Sequence, residues 1–212
     1  MKKFLCVVVA LVAAAPAAGA FQIWSAVFAE HSLTPRLFVY GEVQNRLNAS
    51  DLSQHLLVRP ALGYKIGESH SIWAGYGWTP RFENADLTDE HRFWQQSLAS
   101  YVWPQWRLSF RFRLEERFIE GTTKMAWRWR ELFRTSWHPD GDWGVVLWDE
   151  FFFSLSANEA VVRGFDQNRL FLGLHLPLGS SEFALETGYL NQIHRGGATN
   201  HAAVAYVFWK SR

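Results

Sequence analysis

Positions 107–118 read RLSFRFRLEERF, with Leu108, Phe110, Phe112 and Leu114 at even positions and Arg107, Ser109, Arg111, Arg113, Glu115 and Arg117 at odd ones. Successive residues of a strand point to opposite faces, so this period of two predicts one extended strand with an apolar face and a charged face. The alternation recurs along the whole chain. It predicts strands near 22–29, 36–47, 54–66, 71–80, 92–102, 106–118, 126–136, 144–155, 165–177, 182–192 and 201–209. No stretch carries the period of an amphipathic helix, and no linker of biased composition divides the chain.

The links between these strands alternate in length. Gly67-Glu68-Ser69-His70, Trp103-Pro104-Gln105, His138-Pro139-Asp140-Gly141-Asp142 and Gly179-Ser180-Ser181 supply tight-turn chemistry. The intervening links, 48–53, 82–91, 120–124, 156–164 and 194–200, are longer and polar. Short and long links in strict alternation predict an all-β, up-and-down antiparallel barrel with short turns at one end and long loops at the other. Eleven segments are an odd number, whereas single-chain bacterial barrels are normally even. With the strand from Arg36 running toward the long loops and the last strand running back, about ten strands close the barrel and twelve are possible. The segment 22–29 is then supernumerary, an edge addition or the sign of a hidden twelfth strand.

Which face points inward depends on the solvent outside. No segment approaches 18 consecutive apolar residues beyond the first 20 positions, so a helical span is excluded, but strands of about ten residues can cross as a closed barrel. Trp103 and Trp106 flank one short turn and Trp137 and Trp143 another, which predicts an aromatic girdle at a membrane interface. An arginine against lipid at the bilayer midplane costs about 2–4 kcal/mol, so in a membrane barrel the charged face turns inward. Strand by strand, that rule assigns Glu42, Arg46, Arg59, Arg107, Arg111, Arg113, Glu115, Arg117, Arg128, Arg130, Arg134, Glu150, Arg169 and Glu186 to the lumen. Ala61, Gly63, Gly75 and Gly77 share those faces and leave room for long side chains. Ten arginines exceed four glutamates. The surplus requires water, loop acids such as Asp86, Asp89 and Glu90, or an anionic ligand.

The first residues set the compartment. Met1-Lys2-Lys3 is basic, Phe4–Ala15 is apolar, Pro16 interrupts the run and Ala18-Gly19-Ala20 fits a cleavage site. This predicts a cleaved signal peptide over 1–20 and a single outer-membrane barrel domain over 21–212. Cys6 is the lone cysteine and lies in that segment, so no disulfide or thiolate metal site is expected in the barrel. Without Lys2 and Lys3 the formal charge falls from +1 to −1, which gives no electrostatic reason to expect nucleic acid. Beyond the segment there are 16 arginines and three lysines, the bias of cations held in structured places rather than on a solvated surface.

Catalytic chemistry has little support. His91 precedes Ser97 and Ser100, but no Gly-x-Ser-x-Gly or His-Glu-x-x-His pattern accompanies them. No metal and no cofactor is expected. Asp149-Glu150 and Asp166-Gln167-Asn168-Arg169 are placed near the long-loop ends of neighbouring strands, as a polar network tying arginines together or as a binding patch at the mouth; the network is favoured.

Several blocks carry a resemblance. VQNRLN (43–48), RPALGY (59–64), RLEERF (113–118), WDEFFFSL (148–155), GFDQNRLFLGL (164–174) and ETGYLNQ (186–192) resemble the recurring blocks of the bacterial outer-membrane β-barrel family known as domain of unknown function 2490. The resemblance implies an outer-membrane barrel and no activity. Such barrels commonly end on an aromatic residue, whereas this chain ends FWKSR; Val204, Tyr206 and Phe208 are expected to form the outward alternation of the last strand. The expected function is a structural or accessory outer-membrane barrel with an arginine-rich, partly ion-paired lumen. Its expected partners are outer-membrane lipid and, through the C-terminal strand, the barrel-assembly machinery. A narrow channel for small anionic solutes such as acidic sugars is the alternative, and a lipid-modifying enzyme a weaker one.

Overall fold

The computed structural model describes residues 20–83, 86–139 and 143–211, with Glu83, Asp86, Ser180 and Ser181 described in backbone alone. The expected signal segment, apart from Ala20, lies outside these residues, as do positions 140–142 of one short turn.

The alternating segments form β1 (Ala20–Ser32), β2 (Leu37–Asn48), β3 (Gln54–Lys65) and β4 (His70–Trp78). A small hairpin of β5 (Arg81–Glu83) and β6 (Asp86–Thr88) follows within a long link, and β5 pairs with the start of β3. The chain continues through β7 (Glu90–Val102), β8 (Trp106–Ile119), β9 (Ala126–Trp137), β10 (Gly144–Ser154), β11 (Gly164–Leu178), β12 (Ser180–His194) and β13 (Thr199–Ser211). Apart from the β5–β6 hairpin, these strands pair in a closed ring: β1-β2-β3-β4-β7-β8-β9-β10-β11-β12-β13 and back to β1. The barrel therefore has 11 strands among the described residues, between the ten and twelve expected.

Closure resolves the parity problem. Neighbours that alternate in direction can close an odd ring only if one pair runs the same way. That pair is β1 with β13, parallel from Ala20 opposite Asn200 to His31 opposite Ser211. On its other edge β1 pairs antiparallel with β2, Trp24 opposite Arg46. The supernumerary segment is thus the strand that joins the two edges, and among the described residues the ring itself has no open edge.

Side chains on the outer wall are apolar and exposed: Val27, Leu62, Phe112 and Leu172 are 42–55% accessible. The inside is divided. β1 and β10 to β13 contribute an apolar cluster in which Trp24, Val146, Phe171, Leu190 and Val204 are at most 2% exposed. β2, β3 and β7 to β9 contribute Glu42, Arg59, Trp94, Arg113 and Arg130, which are also buried. The glycines on the inner face do not leave open space. A methyl group on Gly75 would meet the Trp94 ring at 2.5 Å, and one on Gly63 would overlap the Phe38 ring. Large rings occupy the volume the glycines vacate.

One assignment of faces is corrected. Val204, Tyr206 and Phe208 point inward, not outward: Val204 lies opposite Trp24, and the Tyr206 hydroxyl accepts a 2.9 Å hydrogen bond from Gln44 Nε2. β13 carries apolar residues on both faces, so alternation alone could not distinguish them. The outward set is Ala203, Ala205, Val207 and Trp209. A few polar side chains also point outward. Glu131 accepts from Trp129 Nε1 at 2.8 Å, Glu116 from Gln95 at 3.3 Å and Asp149 from Asn168 at 2.5 Å.

Candidate functional site: the charged lumen

Every second residue of β8 and β9 turns inward, and the antiparallel register sets Arg113 opposite Arg130 and Glu115 opposite Arg128. Guanidiniums stacked this closely need intervening carboxylates. Glu115, fully buried, supplies one. Its Oε2 accepts from Arg128 Nε at 2.9 Å and Nη2 at 2.6 Å, and its Oε1 accepts from Arg130 Nη1 at 2.5 Å. Arg130 continues to Glu150 through Nε at 2.9 Å and Nη2 at 2.6 Å, and Arg111 binds the same Glu150 oxygen. The result is a continuous relay, Arg128–Glu115–Arg130–Glu150–Arg111. Buried ion pairs offset their desolvation only with good geometry and several hydrogen bonds, which this relay provides.

The remaining pairs are arranged around it. Glu42 accepts from Arg59 at 2.8 Å and from the Tyr40 hydroxyl at 3.0 Å. Arg113 donates to Gln96 Oε1 and lies 4.3 Å from the Trp94 ring centre. Glu186 takes Arg134 and His175 toward the short-turn end. Arg117 and Arg92 share Glu90 near the long loops, Arg92 at 2.7 and 2.8 Å. Arg46 and Arg169 face inward without an ion pair among the described residues, and Arg107 is exposed near the short turns. The structure therefore places the 14 expected lumen residues on the inner face. It joins ten of them in ion pairs and leaves Arg46, Arg107 and Arg169 without one; Arg113 approaches Glu115 only at 3.9 Å. Trp103, Trp106 and Trp137 are exposed on the outer wall, with Trp143 half-buried beside them.

Sequence reasoning omitted Arg92 and the inward aromatic residues Trp24, Trp94 and Phe152. Arg92 shares the parity of Trp94 and Gln96 in β7, a signal that was present. The rings were missed because a rule that sends apolar residues outward cannot see an aromatic that serves as a stacking surface for arginine. Arg130 and Arg169 lie 4.5 and 4.4 Å from the Phe152 ring centre. Asp149 and Glu150 sit in the middle of β10, not at its long-loop end, and only Glu150 joins the inner network. His91 and Ser97 are both on the outer face, six residues apart along β7, or about 20 Å, too far to act together.

The middle of the barrel is packed. Ten of its strands each place there a side chain no more than 6% exposed, from Trp24 on β1 and Glu42 on β2 round to Leu190 on β12 and Val204 on β13. The eleventh, β4, presents Gly75 beneath the Trp94 ring. Toward the long loops the lumen widens into a chamber of about 560 Å³ lined by nine arginines and three acids. At its rim, the Ser53 hydroxyl and N–H donate to Asp51 at 2.7 and 2.9 Å, holding that carboxyl below its ordinary range.

A closed wall with apolar side chains outside and ion-paired guanidinium inside defines a transmembrane-type β-barrel. Within that class the chain belongs to the family described as "Protein of unknown function (DUF2490)", which it matches over residues 21–202. An uncharacterized protein of Methylorubrum extorquens is 31% identical over 170 residues, covering 76% of this chain and 73% of that one. Among solved structures, LpxR from Salmonella typhimurium superposes with a TM-score of 0.50 over 82% of this chain and 83% of that one; at 7% identity the likeness concerns fold alone.

Proposed function

We propose that this protein is an outer-membrane barrel whose lumen is closed by its own side chains, so that it serves a structural or accessory role in the membrane rather than conducting solutes. The observation that carries this reading is the packed middle. Glu115, Phe171 and Leu190 are 0% exposed, although all three point into the lumen. A water-filled pore would wet them. The apolar wall, the exposed Trp103, Trp106 and Trp137 and the export segment expected over 1–20 support an outer-membrane location, with lipid as the surrounding partner. β13 would then be the strand offered to the barrel-assembly machinery, through outward Val207 and Trp209.

The anion-channel reading draws on the arginine excess, since rings of arginine select anions. It requires a continuous aqueous path, which the relay and the apolar cluster interrupt. The enzyme reading finds a Ser136–His138 contact of 2.9 Å, but both residues are 3% exposed and closed to a substrate.

Planar-bilayer recording of the folded barrel decides between these readings. A silent bilayer is expected under a salt gradient. Steady unitary openings with anion selectivity, reduced by Arg111→Ala or Arg130→Ala, would overturn the closed-lumen reading.

A further inference from the structure

The long-loop chamber contains an electrostatic imbalance that the relay does not resolve. Its three acids are already engaged: Glu90 by Arg92 and Arg117, Asp166 by Arg128 at 3.4 Å, and Asp51 by Ser53. Four of its nine arginines, Arg46, Arg81, Arg169 and Arg195, have no ion pair among the described residues, and of these only Arg46 and Arg169 are withdrawn from solvent, Arg81 and Arg195 being exposed. Arg169 is 6% exposed, its side chain makes no hydrogen bond within the described residues, and its buried Nε is unsatisfied. Arg46 reaches only a neutral acceptor, Gln44 Oε1, at 3.0 and 2.6 Å. They come from β11 and β2, far apart in the chain, yet both lie over the Trp24 ring, at 5.0 and 4.1 Å from its centre. Arg59, also in the chamber wall, has an unsatisfied buried Nε as well. The polar side chains beside the pair include the amides Gln192, opposite Arg169, and Gln22 on β1, and the imidazoles of His55, opposite Arg46, and His194.

A buried guanidinium without a counter-charge is costly and persists where something compensates it. Trp24 lies against both cations and preorganises them; the Arg169 N–H groups have no internal acceptor among the described residues, and those of Arg46 have only the neutral Gln44 Oε1. A planar or tetrahedral oxyanion matches such donors, and a chamber of about 560 Å³ admits a body of sugar size.

We infer that Arg46 and Arg169, held on Trp24, form a binding site in the long-loop chamber for a phosphate or carboxylate group carried on a sugar-sized molecule. The site rests on the closed-lumen reading only in that the chamber is blind at its floor; binding is measured independently of conductance.

The test is calorimetric titration of the folded full barrel in neutral detergent with glucose 6-phosphate, with glucose as the uncharged control. Glucose 6-phosphate is expected to saturate one site, more weakly as salt rises, and glucose to give no signal. Arg46→Gln and Arg169→Gln are each expected to weaken binding about ten-fold or more, the scale of losing charge-assisted bonds. Arg107→Gln, which removes a cation at the opposite end of the barrel, leaves binding unchanged. Arg169→Met, which keeps an apolar chain on the Trp24 ring, must lose binding while the heat-resistant folded band on a gel persists, separating a lost site from a lost fold. A short-chain phosphatidylglycerol titrated against phosphatidylcholine identifies the source of the group: binding of the lipid but not the sugar phosphate, with the same loss in the two variants, assigns a lipid headgroup. Binding that is unchanged in both arginine variants, or no saturation by either anionic probe, overturns the site.

Discussion

Glu115→Gln is the substitution that most directly probes the relay. Glu115 is fully buried and joins Arg128 to Arg130, with a third guanidinium, that of Arg113, 3.9 Å away. Glutamine keeps the shape and one acceptor but removes the charge. If its oxygen stays with Arg128, its NH2 group faces Arg130 Nη1, donor against donor, across what was a 2.5 Å bond. Arg130 retains its two bonds to Glu150, while Arg128 keeps, besides the now neutral oxygen, only one carboxylate, Asp166 at 3.4 Å, which is 35% exposed. Removing one partner of a buried pair in this way costs about 3–5 kcal/mol. With a urea m-value of about 3 kcal/mol/M, the unfolding midpoint falls by roughly 1–1.7 M. The assay is urea titration in lipid vesicles followed by tryptophan fluorescence. Glu115→Gln combined with Arg128→Met removes one charge of each sign, and its loss should be smaller than that of the single variant, a coupling of about 0.5–3 kcal/mol. A single variant within about 0.3 M of the parent, roughly 1 kcal/mol, would mean that water or mobile ions already solvate the relay, and the packed-lumen account would fail.

Three further outcomes are expected. Ser25→Cys with Ala205→Cys, outward neighbours across the parallel β1–β13 pair, should form a disulfide on mild oxidation, while Ser25→Cys with Val207→Cys should not; the reverse would show that the ring closes differently. Gly188→Ala sets a methyl group 2.3 Å from the Leu172 carbonyl oxygen on β11, a backbone atom that cannot turn aside, and should destabilise the barrel by about 1–3 kcal/mol in the same urea assay. Phe112→Arg, on the lipid face and 44% exposed, should destabilise the barrel in vesicles by about 2–4 kcal/mol and far less in detergent, where water reaches the wall; an equal loss in both would place Phe112 away from hydrocarbon.

Much of the fold is legible in the alternation. The eleven alternating segments each became a barrel strand, with ends displaced by only a few residues: the stretch 92–102 begins at Glu90, and 22–29 extends to Ala20–Ser32. Tight-turn residues marked the short links because their backbone requirement is local. Alternation was insufficient wherever both faces carry apolar residues, as on β13, and wherever a ring serves an arginine, as Trp24 and Phe152 do. The arginine surplus did point to Glu90 as an acid folding in, but as a loop residue; it instead begins β7, and its partners are Arg92 and Arg117.

By itself, the sequence determined a barrel-forming series of strands, each with one oily and one charged face, because a period of two is written within about ten neighbouring residues. Only the tertiary structure decided how the ring closes, which guanidinium meets which carboxylate, and that the middle is filled. Those outcomes depend on contacts between distant positions, such as Arg134 with Glu186, 52 residues apart, and Gln44 with Tyr206, 162 apart. Strand tilt and stagger bring such residues together, and no local pattern encodes which pair will meet.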